Sequence, residues 1–178
     1  MSTSKRKVIV YIAASLDGFI AKKDDTIDFL SVVEKENEDY GYYGFVETVD
    51  TVIMGRKTYE KVLSFPVDFP HKERDCFVLS QSKKGKDNNV TFYDGNVKDL
   101  VDELKKKEGK NIFVDGGAGA VHALREQNLI DEYVISIIPV LLGNGIRLFK
   151  DLDHQQTLEL VESQSFDTGL VQVKYRVK

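Results

Sequence analysis

Apolar residues gather in short runs separated by glycine, proline and acidic clusters, and the first run, "KVIVYIAAS" (7–15), is nearly continuous. A strand with water on one face alternates, whereas an unbroken run of β-branched and aromatic residues marks a strand covered on both faces. A central strand is therefore predicted. "LDGFIAKKDDTIDFL" follows, with turn signals at Asp17-Gly18 and Asp24-Asp25, and reads as a loop region at the end of that strand. From Glu34 to Val49 the apolar residues Tyr42, Phe45, Val46 and Val49 recur at helical spacing, and "TVIM" (51–54) returns as a short buried strand. "TYEKVLS" reads as helix, "FPVDFPHKERD" as a loop with two prolines, and "CFVLS" and "NVTFYD" as strands.

The second half repeats the alternation. "NVKDLVDELKKKEGK" is an amphipathic helix with Asn96 as its N-cap and Gly109 as its stop. "NIFVDGGAGAVHALREQNLI" goes from strand through a glycine turn to helix, and "DEYVISIIPVLL" is again a strand. "TLELVESQSF" and "LVQVKYRV" alternate in polarity around "DTG", which predicts an antiparallel pair at a sheet edge. The expected architecture is a single three-layer α/β domain over residues 1–178, with a mostly parallel central sheet, antiparallel C-terminal strands and flanking helices.

Charge and cysteine usage narrow the chemistry. A formal net charge of -4, from 25 basic and 29 acidic residues, argues against wrapping by a nucleic acid, so basic clusters need a local explanation. No apolar run is long enough to span a bilayer and "MSTSKRK" has no signal-peptide pattern, which points to a cytoplasmic protein without membrane contact. Cys76 is the single cysteine; lying in "CFVLS" it reads as a buried, inert thiol. His71, His122 and His154 share no ligand spacing, so no metal is expected.

Open α/β sheets bind ligands beyond the carboxyl ends of their strands. Four stretches there are unusual: "AASLDGFIA", "GRKTYE", "LSQSKK" and "DGGAGAV". The glycines of "DGGAGAV" allow close backbone approach and open a helix whose free N–H groups favour an anion. The match to G-x-G-x-x-G is partial, since His122 holds the third glycine position, and a ligand-free tight turn is the alternative. In "GRKT", Thr58 offers a hydroxyl, while Arg56 and Lys57 sit where the helix dipole opposes cations, a placement that an intervening anion would relieve. The alternative is a solvated turn. In "LSQSKK", Ser80, Ser82, Lys83 and Lys84 suit a ribose 2′-phosphate, although alone they would read as a polar loop. Recurrence at three strand ends favours one extended polyphosphate ligand, and NADPH accounts for all three.

Taken together, "KVIVYIAASLDGFIA", "TVIMGRKTYE", "FVLSQS", "IFVDGGAGAV" and "DEYVISIIPVLLGNGIRLF" resemble the dihydrofolate reductase superfamily. They are most similar to the C-terminal reductase domain of the bifunctional deaminase-reductase of riboflavin biosynthesis and its stand-alone relatives. The resemblance implies a dihydrofolate reductase-like mixed sheet of eight strands with NADPH across the strand ends. It would place Ala13, Ile20 and Ala21 at the nicotinamide, Gly55, Arg56, Lys57 and Thr58 on the phosphates, Leu79, Ser80, Gln81 and Ser82 around the 2′-phosphate, and Gly116, Gly117, Ala118, Gly119 and Ala120 on the pyrophosphate. Asp17 and Gly18 would border the substrate, together with Pro139, Leu141, Gly143, Gly145 and Phe149.

The implied reaction is hydride transfer from NADPH to a small heterocyclic or ribosylaminopyrimidine-like substrate, such as 5-amino-6-(5-phosphoribosylamino)uracil. Asp39 falls where folate reduction uses a carboxylate to assist protonation, and Asp39 and Asp17 are the candidate catalytic acids; a solvated helix face is the alternative for Asp39. The chain has no tryptophan, whereas folate-type enzymes carry one in the loop after the first strand. Dihydrofolate reduction and a non-catalytic NADPH-binding module remain the alternatives. The resemblance also implies a homodimer, for which the apolar stretch "VISIIPVLL" is the candidate surface. The deaminase half is not expected, because no zinc-ligand constellation precedes the reductase-like region.

Overall fold

In the computed structural model, which describes residues 5–178, the strands in chain order are β1 (Val8–Ser15), β2 (Phe19–Ala21), β3 (Val49–Gly55), β4 (Asp75–Leu79), β5 (Gly85–Asp87), β6 (Val90–Tyr93), β7 (Asn111–Gly116), β8 (Glu132–Ile138), β9 (Ile146–Arg147), β10 (Leu158–Ser165) and β11 (Val171–Val177). The helices are α1 (Tyr42–Glu47), α2 (Arg56–Leu63), α3 (Val97–Lys106) and α4 (Ala118–Glu126), with a 3-10 segment at Asp28–Val33. Nine strands form one sheet in the order β10-β11-β8-β1-β7-β3-β4-β6-β5, and β2 pairs with β9 apart from it. The six strands from β8 to β6 are parallel, while β11, β10 and β5 are antiparallel additions. The sheet thus has one strand more than the resemblance implied, because Gly85–Asp87, too polar to read as a strand, pairs with β6 at the edge.

The apolar run of β1 is central as predicted, flanked by β7 and β8. Val8, Val10 and Ala14 pack toward α3 and α4 with Ile53, Ile112, Val114, Leu100, Val121 and Leu124. The opposite face carries Val52, Met54, Cys76, Val78 and Phe113 beneath α1 and α2, joined by Tyr11. Helix α3 starts as its sequence dictates: the Asn96 side chain accepts from Lys98 N at 2.8 Å, which satisfies one of the free N–H groups of the first turn.

The segment 34–49 departs from expectation. Its first six residues, "EKENED", hold nothing apolar to anchor against the sheet, and Tyr40 (φ 53) and Gly41 (φ 82) are left-handed. The helix begins only at Tyr42, where Tyr42, Phe45 and Val46 reach the core, and Val49 already belongs to β3. Of the stretch "VISIIPVLL", residues 134–138 lie in β8 between β1 and β11, and 139–142 continue beyond its carboxyl end. No helix among the described residues is long and apolar enough to cross a membrane.

Candidate functional site

Strand β7 follows β6 in the chain yet fills the place between β1 and β3, and β8 then goes to the far side of β1. The winding direction reverses at this point: β3 leads through α2 on one face to β4, whereas β7 leads through α4 on the other face back to β8. Such a reversal opens a crevice beyond the carboxyl ends of the strands. Those ends are Ser15, Gly116, Gly55 and Leu79 in spatial order, a span of roughly 14 Å at about 4.8 Å per strand.

Two of the predicted stretches meet at the centre of this edge. A Cβ on Gly117 would lie 3.0 Å from Thr58 Oγ1 and 3.9 Å from Ile20 Cδ1, and one on Gly55 would lie 3.8 Å from Gly117 N. A side chain at 117 would press on the Thr58 hydroxyl, so glycine there lets the "GRKT" and "DGGAG" turns approach without displacing it. The Gly116-Gly117 peptide is cis. Arg56, Lys57 and Thr58 form the first turn of α2, and Ala118, Gly119 and Ala120 that of α4. Neither helix has a side-chain N-cap bond, so both present unpaired N–H groups and the positive ends of their dipoles toward the same place. A Cβ on Gly119 would meet nothing within 4 Å.

The adenosine-side candidates adjoin this centre, since Gly55 and Leu79 are register partners of β3 and β4. Leu79 turns inward to the α3/α4 core, Ser80 is buried with its Oγ accepting from Lys83 N at 3.0 Å, and Gln81 and Ser82 are exposed. The cations are differently engaged than their position suggested. Arg56 donates to Glu60 Oε1 at 3.2 Å one turn along its own helix, and Lys83 Nζ lies 3.9 Å from the same oxygen. Glu60 therefore supplies the counter-charge to both, while Lys57 is exposed and has no ion pair among the described residues.

On the other flank, β2 carries Ile20 and Ala21 and pairs antiparallel with β9, so the first loop and the segment after β8 form one unit. The contact is close: a Cβ on Gly145 would sit 2.3 Å from Ala21 O. Asp17 fastens the same unit. Its carboxylate accepts from Ser15 Oγ at 2.6 Å, Leu142 N at 3.0 Å and Gly143 N at 2.8 Å. Leu16 and Leu141 are exposed beside it, and Pro139 lies just after β8 against the Gly169 turn. Ala13 lies on the α1 side of β1. Tyr11 stacks on Phe45 at 4.4 Å on that side, and both wall a groove of about 370 Å³ that extends toward Lys7, Glu132 and Lys174.

Residues 6–172 match the RibD C-terminal domain model. The chain belongs to the RibD C-terminal domain family. The uncharacterized protein YwjB of Bacillus subtilis (strain 168) is 42% identical over 172 residues, covering 96% of this chain and 98% of that protein. Among solved structures, a putative riboflavin biosynthesis protein from Shewanella sp. PV-4 is 34% identical with TM-score 0.90, over 97% of this chain and 99% of that one. A diaminohydroxyphosphoribosylaminopyrimidine deaminase/5-amino-6-(5-phosphoribosylamino)uracil reductase from Thermotoga maritima superposes with TM-score 0.74 at 16% identity, over 98% of this chain and 57% of that one. Dihydrofolate reductase from Enterococcus faecalis, complexed with NADP(H), gives TM-score 0.69 at 17% identity, over 98% of each chain. The dihydrofolate reductase-like fold expected from the sequence is thus the fold observed.

Within this RibD C-terminal domain, three nominated residues have other employment. The three donors on Asp17, the Ser15 hydroxyl foremost, hold its carboxyl below the usual carboxylate range, which suits a brace and not a proton donor. Asp39 accepts from Tyr43 N at 2.8 Å and Gly41 N at 3.0 Å, so the amides at the start of α1 likewise lower it. Phe149 faces away from the crevice: although Leu148 N still donates to Gly18 O at 2.9 Å, the Phe149 ring packs on the α4 side against Tyr133 of β8 and under Arg125 in the last turn of α4. The polypeptide crosses the α4 side after Arg147, burying Leu148, and so carries Phe149 away from the crevice. Cys76 is buried as expected, and burial pushes its thiol up to about 12, leaving it protonated.

Sequence reasoning missed Asp115 and His71. Asp115 is the last side chain of β7 before the glycine pair, and its Oδ2 lies 2.9 Å from His71 Nε2. His71 comes from the loop between α2 and β4, is 1% exposed, and has no partner for Nδ1 among the described residues. The signal available in the sequence was the acid directly preceding the glycines in "DGG"; its histidine partner is 44 residues away and carries no local pattern.

Proposed function

We propose that this RibD C-terminal domain is an NADPH-dependent reductase whose cofactor lies along the carboxyl ends of β1, β7, β3 and β4. The observation that carries the proposal is the meeting of two uncapped helix N-termini at Gly55, Thr58 and Gly117. The residues present fit a pyrophosphate there: open space at Gly119, no Cβ at Gly117, a Thr58 hydroxyl beside it, and the exposed Lys57. In this reading the amides of Arg56–Thr58 and Ala118–Ala120 hold the phosphates, Ser80, Gln81, Ser82 and Lys83 take the adenosine end, and Ala13, Ile20 and Ala21 bear on the nicotinamide. When bound, the cofactor supplies a hydride. The chain's own part is to align the acceptor carbon and to exclude water, for which Gly18, Pro139, Leu141 and Gly143 form the border and the exposed Leu16 and Leu141 the apolar rim.

The proposed substrate is a small heterocycle of the ribosylaminopyrimidine kind, with 5-amino-6-(5-phosphoribosylamino)uracil the first to assay. Calorimetry with NADPH and NADH, followed by loss of NADPH absorbance with that substrate and with dihydrofolate, tests the reading. Tight NADPH binding with weaker NADH binding and oxidation by the pyrimidine is the expected result. No binding of either nucleotide at millimolar concentration overturns it, and binding without turnover favours a non-catalytic module.

A second copy of the chain is the proposed partner. Register pairing puts Leu158, Leu160, Val173, Tyr175 and Val177 on one face of β10 and β11, while Glu159, Glu162, Gln172, Lys174 and Arg176 take the other. Leu160 is 54% exposed, although its strand presents no charge on that face. An uncharged apolar sheet face left in water is characteristic of an interaction surface.

A further inference from the structure

The cations at the adenosine end of the proposed cofactor site each meet a carboxylate of the chain itself. Lys84 Nζ lies 2.5 Å from Asp94 Oδ2, whereas Arg56 and Lys83 share Glu60: Arg56 Nη1 is 3.2 Å and Lys83 Nζ 3.9 Å from the same oxygen, Oε1. Arg56 and Glu60 belong to α2, while Lys83 comes from the turn beyond β4. One carboxylate oxygen thus fills the gap between cations delivered by two separate elements.

Helix stability does not explain the arrangement. In pairs at this spacing the favourable order puts the acid first; here the cation comes first, at the helix end where the dipole opposes it. The side chains of Arg56, Glu60 and Lys83 are 42%, 44% and 52% exposed, a setting in which ion pairs contribute little, so the cluster opens readily. The turn that carries Lys83 brings a further donor. Ser80 is buried and its Oγ accepts from Lys83 N at 3.0 Å, but its own hydroxyl proton has no acceptor among the described residues.

We infer that Glu60 is an internal stand-in for the ribose 2′-phosphate: it holds Arg56 and Lys83 in the free protein and yields them to an anion of higher charge. The inference rests on the proposed NADPH reading and adds what limits its selectivity. A 2′-phosphate carries a charge of about −1.5 to −2 at pH 7 on three acceptor oxygens, so it replaces a carboxylate with a gain in attraction to both cations. NADH has only a hydroxyl to present there and leaves Glu60 in place. Glu60 therefore opposes the phosphorylated cofactor alone, and the preference for NADPH is smaller than the cations by themselves would give.

Glu60→Gln keeps the shape of an exposed side chain and removes its charge. Calorimetric titration of this variant and the wild type with adenosine 2′,5′-bisphosphate and with AMP, which differ by the 2′-phosphate alone, tests the inference. The ratio of the two affinities is expected to rise roughly three- to ten-fold in the variant at low ionic strength, the effect of removing one charge beside a doubly charged group in water, and the rise to shrink with added salt. Glu126→Gln makes the same change of net charge on an exposed side chain at the far end of α4 and is expected to keep the wild-type ratio. A gain of affinity is a result that loss of structure does not produce. An unchanged ratio in Glu60→Gln overturns the inference, and so does a lower one, which would make Glu60 a support for its cations. If neither protein binds either nucleotide or NADPH, the cofactor reading and the inference fall together; if both bind NADPH and show equal ratios, the inference alone falls.

Discussion

Replacing Gly119 by alanine should move stability and cofactor affinity in opposite directions. Gly119 is the second residue of α4, its φ is not left-handed, and an added Cβ meets nothing within 4 Å. Alanine is favoured over glycine in helix interiors by about 0.8–1.0 kcal/mol, and a first-turn position should realise about half of that. For a chain of 178 residues the expected gain in Tm is roughly 1–2 °C. If a pyrophosphate lies across the first turn of α4, however, the new methyl occupies part of its space. Overpacking by one methyl costs about 1–3 kcal/mol, which corresponds to a Kd for NADPH raised roughly 5- to 150-fold. Gly44→Ala is the matched control, because Gly44 lies within α1, also faces open space, and is remote from the turn. Differential scanning calorimetry and NADPH titration of the three proteins read both effects. A Gly119→Ala protein with raised Tm and wild-type NADPH affinity would refute the placement of the phosphates.

Gly145→Ala should destabilise by about 3 kcal/mol, since its Cβ would lie 2.3 Å from Ala21 O at a φ of 146, and Tm should fall by roughly 6–12 °C; Gly143→Ala, left-handed but facing open space, should cost about 1 kcal/mol. Asp17 makes stability pH-dependent: its folded pKa lies below the ordinary 3.8, so its contribution is present above that value and is lost as pH falls through the folded pKa. Asp17→Asn should therefore flatten the decline of Tm below about pH 4, and an unchanged acid limb would contradict the brace. Leu160→Glu places a charge on the uncharged face of β10 and should convert a dimer to a monomer in analytical ultracentrifugation while leaving NADPH affinity intact; a monomeric wild type would dispose of the dimer.

The elements that sequence made legible are those with strong local chemistry. The unbroken apolar run of β1, the Asn96 cap of α3 and the alternation of β10 and β11 each say locally what they do globally. The glycine turns were legible as turns, but that Gly117 abuts Thr58 is a relation between strands and has no local trace. Charge pairing is only half legible: Glu60 stands one helical turn from Arg56 in "GRKTYE", but that its carboxylate also lies 3.9 Å from Lys83, beyond β4, has no local trace. Asp17 and Asp39 looked like acids because carboxylates in a loop and beside a helix are ambiguous until their amide donors are known. Phe149 was drawn to the crevice by its neighbours in sequence, whereas from Leu148, still bonded to Gly18 O, the polypeptide turns to the α4 side and takes the Phe149 ring with it.

The late entry of β7 between β1 and β3 has a consequence for how the molecule comes into being. β3, β4 and β6 can align as soon as residues 49–93 exist, but β1 has no neighbour on either side until β7 and β8, at 111–138, have been made. β1, made well before either of its neighbours, is thus among the last of these strands to be ordered, and its apolar length is the segment most in need of protection meanwhile. Because the crevice consists of the joints that β7 closes, it must take shape in one late step of folding. Ligands that bind there act on that step alone, stabilising the closed sheet without hastening the assembly of its earlier half.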